Sequence, residues 1–332
     1  MDSSSPVALR TAADEPGSGD VTIVRSEAIG RTAPGSGSRR WQRARRASVP
    51  YLFLAPFLVG FAVFMIFPLI YAFDLSLYRT KIVGGKSFVG LENYAKVLGD
   101  SSFWEGVRNV LTFGLIQIPI MLGVALIAAL LLDSVVIRGK TIFRLGFFLP
   151  FAVPSVVAAL MWGYMYGQAF GPIAQISRAV GITPPEFLTS GTIIPALANI
   201  STWQFAGYNM LIMFAALQAI PHELYEAARV DGASGIQVAT RVKIPLIGPA
   251  IVLTAIFSVI GTLQLFNEPS VLRAVSPTII PPNFTPNLYV YNLAFTNRQF
   301  DYAAAVSFGL ALVTAVLSSL VLFVVYRRQS LR

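Results

Sequence analysis

Apolar residues in this chain gather in runs far longer than the core face of a soluble helix requires, and short polar joints separate them. A helix crosses the hydrocarbon core of a bilayer with about 20 apolar residues. Six stretches meet that length: 51–73, 109–132, 142–166, 192–217, 246–266 and 303–326. The pattern predicts an all-α, polytopic membrane protein with six transmembrane helices. The third and fourth runs carry internal proline or polar residues, which a bundle tolerates because neighbouring helices satisfy freed backbone groups. Residues 1–47 read differently. They are rich in Ser, Gly, Ala, Pro and Thr and hold too little apolar surface to offset the entropy of ordering, so a disordered tail is expected. The front of the tail is too long and polar for a secretory signal. It closes on 39-RRWQRARR-46, a basic cluster suited to anchoring at lipid headgroups.

Composition sharpens this picture. With 55% hydrophobic and 12% charged residues, the chain has about half the charged share of soluble domains. The formal net charge of +9 sits in clusters beside apolar runs, a topogenic placement that argues against nucleic acid as a partner. Counting Lys and Arg in the segments between the six runs places 14 on the side of the N-terminus and 8 on the other. The positive-inside rule then puts both termini in the cytoplasm, with a lipid bilayer as the first partner. There is no Cys, and His222 is the only histidine. Disulfides and thiolate or multi-histidine metal sites are thereby disfavoured, as is Ser-His or Cys-His catalysis, so neither catalytic nor metal-ligating residues are expected. His222 itself reads as a solvated loop residue.

One polar segment stands out between the fourth and fifth runs: 221-PHELYEAARVDGASGIQVATRVKIPLIGPA-250. Pro221 suits a helix start, and Glu223 and Glu226 complement the dipole of the first turns. Leu224, Ala227 and Ala228 fall at i, i+3 and i+4, giving a small apolar face. Gly232 suits a left-handed helix end. Ser234 and Gln237 have capping-box spacing for a second helix, and Pro245 marks re-entry into the apolar phase. Two short helices at the cytoplasmic surface are expected, with a face suited to close approach by another body.

The spacing Glu226-Ala227-Ala228, three residues, Gly232, nine residues, Val242-Lys243-Ile244-Pro245 resembles the EAA loop of bacterial ABC-importer permeases. The longer strings 226-EAARVDGAS-234 and 87-SFVGLENY-94 look like the carbohydrate branch, the maltose-type and glycerol-phosphate-type permeases. Val242 and Ile244 replace the consensus Ile and Leu, apolar for apolar. The resemblance runs from about residue 50 to the C-terminus. It implies a type I ABC-importer permease fold over residues 48–332, with a coupling loop at 221–245, in a bacterial inner membrane. It further implies a second homologous permease, two ATP-binding subunits and an extracytoplasmic substrate-binding (lipo)protein. The residues it assigns to ATPase coupling are Glu223, Glu226, Ala227, Ala228, Asp231, Gly232, Ala233 and Pro245. The chain carries no G-x-x-x-x-G-K-[ST] phosphate loop, so it is read as a non-enzymatic subunit without a cofactor, with ATP and Mg in its partners.

Polar groups within apolar runs face partners or a pathway. The substrate-pathway candidates are Gln117, Trp203, Gln204, Asn209, Gln264, Asn267 and Glu268. Neutral amides and aromatic faces suit the hydroxyls and ring faces of a sugar or polyol, although interhelical hydrogen bonding is the plainer role for each. Glu268 has Arg273 as a possible ion partner. Trp162, Tyr164 and Tyr166 read as an interfacial aromatic belt. The function expected is ATP-driven import of a sugar or related polyol, with a glycerol-phosphate or amino-sugar substrate as the alternative. An ion-coupled secondary transporter predicts intramembrane carboxylates, and the runs are nearly free of them.

Overall fold

The computed structural model describes residues 51, 53–81, 84–134 and 139–329. The expected disordered tail lies outside them. The chain divides into two units, Met1–Ala62 and Val63–Arg332, and the architecture below is that of the second.

Helix α1 (Phe67–Ser76) leads into an antiparallel hairpin of β1 (Tyr78–Lys81) and β2 (Gly85–Phe88), paired Tyr78 to Phe88 and Lys81 to Gly85. This hairpin is a departure from the all-α expectation. Helix α2 (Glu92–Leu98) follows, then α3 (Ser101–Asp133). Asp100 caps α3 by accepting from the amides of Ser102 and Phe103 at 2.9 and 3.4 Å, which satisfies orphan donors of the first turn. Next come α4 (Lys140–Phe148), a 3₁₀ turn at Leu149–Ala152 and α5 (Ser155–Met165). Helix α6 (Pro172–Ala179) is short and peripheral, whereas α7 (Ile193–Gln218) packs along α3 over much of its length. Two small helices, α8 (His222–Val230) and α9 (Gly235–Val238), precede α10 (Gly248–Leu263). Helices α11 (Asn267–Arg273) and α12 (Pro286–Tyr291) lead to the long α13 (Phe300–Gln329).

Among the described residues, four helical stretches are long and apolar enough to cross a membrane: Phe53–Ser76, Ser101–Asp133, Gly248–Arg273 and Phe300–Leu320. A bent pair, Lys140–Ala152 with Ser155–Met165, makes a fifth if it counts as one span. The expected count of six is therefore not reproduced, and residues account for both differences. The third run breaks by 97°, where Pro150 and Pro154 each lack a backbone donor and Val153, before Pro154, is extended (φ −78°, ψ 127°). The fourth run does form a 26-residue helix, but Asn199, Ser201, Thr202, Gln204 and Asn209 dilute its apolar character.

Three clusters of buried side chains hold the unit together. One surrounds α7 at Leu197 and Ile200 with Leu272 and Ile280; a second joins Val97, Phe103 and Val306; a third joins Leu132, Met213, Leu217 and Ile247. Close approach is sharpest at Gly207 of α7, where an added Cβ would lie 1.8 Å from the Phe147 carbonyl oxygen.

Candidate functional site

Two places gather the polar residues singled out in the sequence: a cleft among the long helices and the segment at 221–245.

The cleft has a volume of about 480 Å³, within the size range of small-molecule sites. On α3 its wall is Phe113, Gln117 and Met121, each four residues apart, so they share a face. On α7 the wall is Ser201, Phe205, Tyr208 and Asn209, again one stripe. Helix α10 adds Ser258 and Thr262, the following turn Gln264, and the start of α11 Asn267 and Glu268. Phe151 leans in from the 3₁₀ turn and stacks on Tyr208 with centroids 4.8 Å apart. Gln117 and Asn209 are both buried, and both aim a side-chain amide at the Met121 sulfur, at 3.0 and 3.6 Å. Sulfur is a weak acceptor, so most of the donor capacity of Gln117 is unused. Asn209 also donates to the Phe205 carbonyl at 3.0 Å. Asn267 donates to the Ser155 hydroxyl at 2.8 Å across the bend.

Five of the seven pathway candidates thus line one cleft: Gln117, Asn209, Gln264, Asn267 and Glu268. Trp203 and Gln204 do not. Trp203 packs edge-on against Trp162 at 5.9 Å. Gln204 donates to the Val153 carbonyl at 2.9 Å, a carbonyl orphaned by the break at Pro154, so its role is to satisfy the bend. Glu268 is buried at 6% exposure and does not pair with Arg273, which donates instead to Asn292 at 3.0 Å. The aromatic-belt reading is corrected at Tyr166, whereas Tyr164 is exposed. Tyr166 is a core residue, 3% exposed, which donates to the Ala196 carbonyl at 3.2 Å and accepts from Asn199 at 2.8 Å. Sequence reasoning missed Phe151, Ser155, Ser201, Phe205 and Tyr208. For the α7 residues, the i, i+4, i+7 spacing carried the signal.

At 221–245 the local geometry follows the residue chemistry. Helix α8 begins after Pro221, which takes the cap position and not the first turn. Gly232 sits at φ +79°, the left-handed region, and Ser234 and Gln237 exchange both capping-box bonds. Tyr225 and Val238 are buried and anchor the segment, whereas Glu223, Leu224, Glu226, Ala227 and Val230 are exposed. Ala228 and Ala233 are half-buried, and Asp231 and Pro245 are exposed. The Tyr225 hydroxyl donates to the Leu217 carbonyl at 3.3 Å. Burial first, and the Asp133 carboxylate second, push this phenol above the usual tyrosine range, so it remains a neutral donor. A π-helical stretch at Ala239–Lys243 then turns Lys243 back to form an ion pair with Asp133 at the end of α3.

Residues 121–330 match the family model described as binding-protein-dependent transport system inner membrane component. The chain belongs to that family. Relatives of this permease agree over most of their length. The lactose transport system permease protein of Rhizobium radiobacter is 36% identical over 84% of this chain and 94% of its own. The arabinooligosaccharides transport system permease protein of Bacillus subtilis (strain 168) is 31% identical over 82% and 87%, and the sn-glycerol-3-phosphate transport system permease protein of Agrobacterium fabrum is 31% identical over 82% and 92%. In fold, the permease resembles a chain of a bacterial ABC transporter involved in the import of the acidic polysaccharide alginate. The TM-score is 0.77 at 22% identity, covering 87% of this chain and 99% of the other. A second crystal structure, of the alginate transporter in complex with an alginate pentasaccharide-bound periplasmic protein, gives 0.74 at 22% identity, covering 85% and 96%.

Proposed function

We propose that this permease is a membrane-spanning subunit of an ATP-driven importer for an uncharged sugar or polyol, and that the cleft between α3, α7 and α10 lies on the transport path. The observation that carries the reading is the lining of that cleft. Amide side chains of Gln117, Asn209, Gln264 and Asn267 sit among the aromatic faces of Phe151, Phe205, Tyr208 and Phe266, with no Lys or Arg among the lining residues. Neutral donors and acceptors match sugar hydroxyls, and aromatic faces match the C–H faces of the rings. A phosphate or uronate would call for Arg or Lys. The relatives include permeases for lactose, arabinooligosaccharides and glycerol phosphate alike, so the choice of sugar over glycerol phosphate rests on this lining.

The segment 221–245 is the docking element for an ATP-binding subunit in this proposal. Leu224 and Val230 are 45% and 88% exposed beside the acids Glu223 and Glu226, a face left uncovered among the described residues. With both termini cytoplasmic, that face lies where ATP is, and an extracytoplasmic binding protein delivers substrate at the opposite end. Alternating access by rigid-body rocking then exposes the cleft to each side in turn. Six crossings follow if the bent pair and the polar α7 both span within the assembled bundle.

The test is uptake into proteoliposomes holding the assembled transporter, with lactose and an arabinooligosaccharide offered on the binding protein. The expected result is uptake that needs ATP and the binding protein and is lost with Glu226→Arg. Uptake driven by an ion gradient by this chain alone would overturn the reading.

A further inference from the structure

The Asp133 end of α3 holds a charged cluster that neither the family resemblance nor the cleft explains. Asp133 ends the 33-residue span helix α3, and its side chain is 6% exposed. One carboxylate oxygen accepts from the Gln218 amide at 2.7 Å, at the last residue of α7. The other is paired with Lys243, whose side chain is 15% exposed. The Lys243 ammonium also sits over the Tyr225 ring, 4.6 Å from its centroid, and Tyr225 is the buried anchor of α8. One carboxylate therefore ties together three bodies: the end of α3, the end of α7 and the segment at 221–245.

A buried ion pair is a poor source of net stability, because desolvating two charges opposes their attraction. Its better-attested use is to fix one register between elements. The neighbourhood fits that use. Helix α8 is otherwise largely exposed, and few contacts tie it to α9 or to the spans. The π-helical stretch just before Ile244 sets the direction of Lys243, and such stretches occur most often at functional positions.

We propose that Asp133 and Lys243 are positioning residues for transport, forming the joint through which movement of the 221–245 segment reaches α3 and α7 and so the cleft. The joint rests on the reading that this segment docks an ATP-binding subunit. Without the ion pair the segment can follow its partner while the spans stay behind, so ATP is consumed without opening the cleft.

The chain has no cysteine, so a single introduced one reports accessibility. Gly261 lines the cleft, and a Cβ there meets nothing within 4 Å. In the assembled transporter in nanodiscs, Gly261→Cys is labelled with a membrane-impermeant maleimide, with and without Mg·ATP and vanadate. The expected result is a labelling rate that changes at least about fivefold on trapping. With Lys243→Met or Asp133→Asn that change is lost, while ATP hydrolysis stays within about twofold of the unsubstituted level. The swapped pair Asp133→Lys with Lys243→Asp restores the change. Single variants that keep the full ATP-dependent change, or that lose hydrolysis and the change together, overturn the joint, as does a swapped pair that restores nothing. If the segment docks no ATP-binding subunit, a Val230→Cys crosslink to those subunits fails, and labelling ignores ATP even without a substitution at the joint. That outcome sinks the coupling reading as well and is distinguishable from failure of the joint alone.

Discussion

The side-chain amides of Gln117 and Asn209, carried on different helices, converge on the sulfur of Met121 at 3.0 and 3.6 Å. Both sit on the wall of the cleft; Asn209 also donates to the Phe205 carbonyl, whereas Gln117 has only the weak sulfur acceptor and so keeps donor capacity to spare. Gln117→Leu keeps the volume and removes the donor. It is expected to raise the KM for sugar uptake by about fivefold to tenfold, the effect of one neutral hydrogen bond, while assembly and basal ATP hydrolysis are unchanged. Uptake kinetics in proteoliposomes check this.

Gln204 has a different fate, although it lies on the same helix as Asn209. It satisfies the Val153 carbonyl at the break before Pro154, so Gln204→Leu strands a half-buried acceptor. A loss of about 1–3 kcal/mol in stability follows, read as a lowered melting temperature in detergent. The KM for sugar should not move.

Gly207 and Gly123 separate close approach from helix propensity. A Cβ at Gly207 would meet the Phe147 carbonyl oxygen at 1.8 Å, and one at Gly123 would meet nothing within 4 Å. Gly207→Ala is expected to cost about 1–3 kcal/mol or more by overpacking and to lower the yield of folded protein. Gly123→Ala, inside α3, should stabilise by up to about 1 kcal/mol. Thermal melts of the two variants side by side decide it.

The corner at Asp100, where α2 meets α3, gives a pH prediction. Burial raises the Asp100 carboxyl. Hydrogen bonds from Tyr302 at 2.6 Å and Tyr289 at 2.7 Å, then from the Ser102 and Phe103 amides, outweigh that and hold it below the usual carboxylate range. A carboxyl with a depressed native pKa contributes its full stability above the unfolded value of about 3.9 and loses it as pH falls through the native value. Tyr289→Phe should therefore lower the melting temperature at pH 7. The deficit should shrink as the pH is taken below about 4.

Much of the helical frame is legible in the sequence, because hydrophobic runs and caps are local. The runs at 109–132 and 303–326 lie inside α3 and α13, and the Ser234–Gln237 capping box needs only four residues. What the sequence does not reveal depends on contacts between distant residues. Pro150 and Pro154 are visible, but the 97° bend also needs Gln204 to take the freed carbonyl. Tyr166 looks interfacial until Asn199 and the Ala196 carbonyl enclose its hydroxyl. The hairpin at 78–88 sits in a polar loop where apolar periodicity is silent. In the cleft, five of the seven polar candidates were legible as polar groups out of place, whereas its aromatic and serine residues look like ordinary helix packing. The pairing of Asp133 with Lys243 joins residues 110 positions apart, beyond any local pattern.

The most direct test of the central claim is ATP hydrolysis by the proposed assembly of this permease with a second permease and ATP-binding subunits, as the sugar-loaded binding protein is added. The account predicts that loaded binding protein raises the rate at least about fivefold and that Glu226→Arg abolishes the rise. A rate indifferent to the binding protein, together with sugar uptake by this chain alone down an ion gradient, would contradict it.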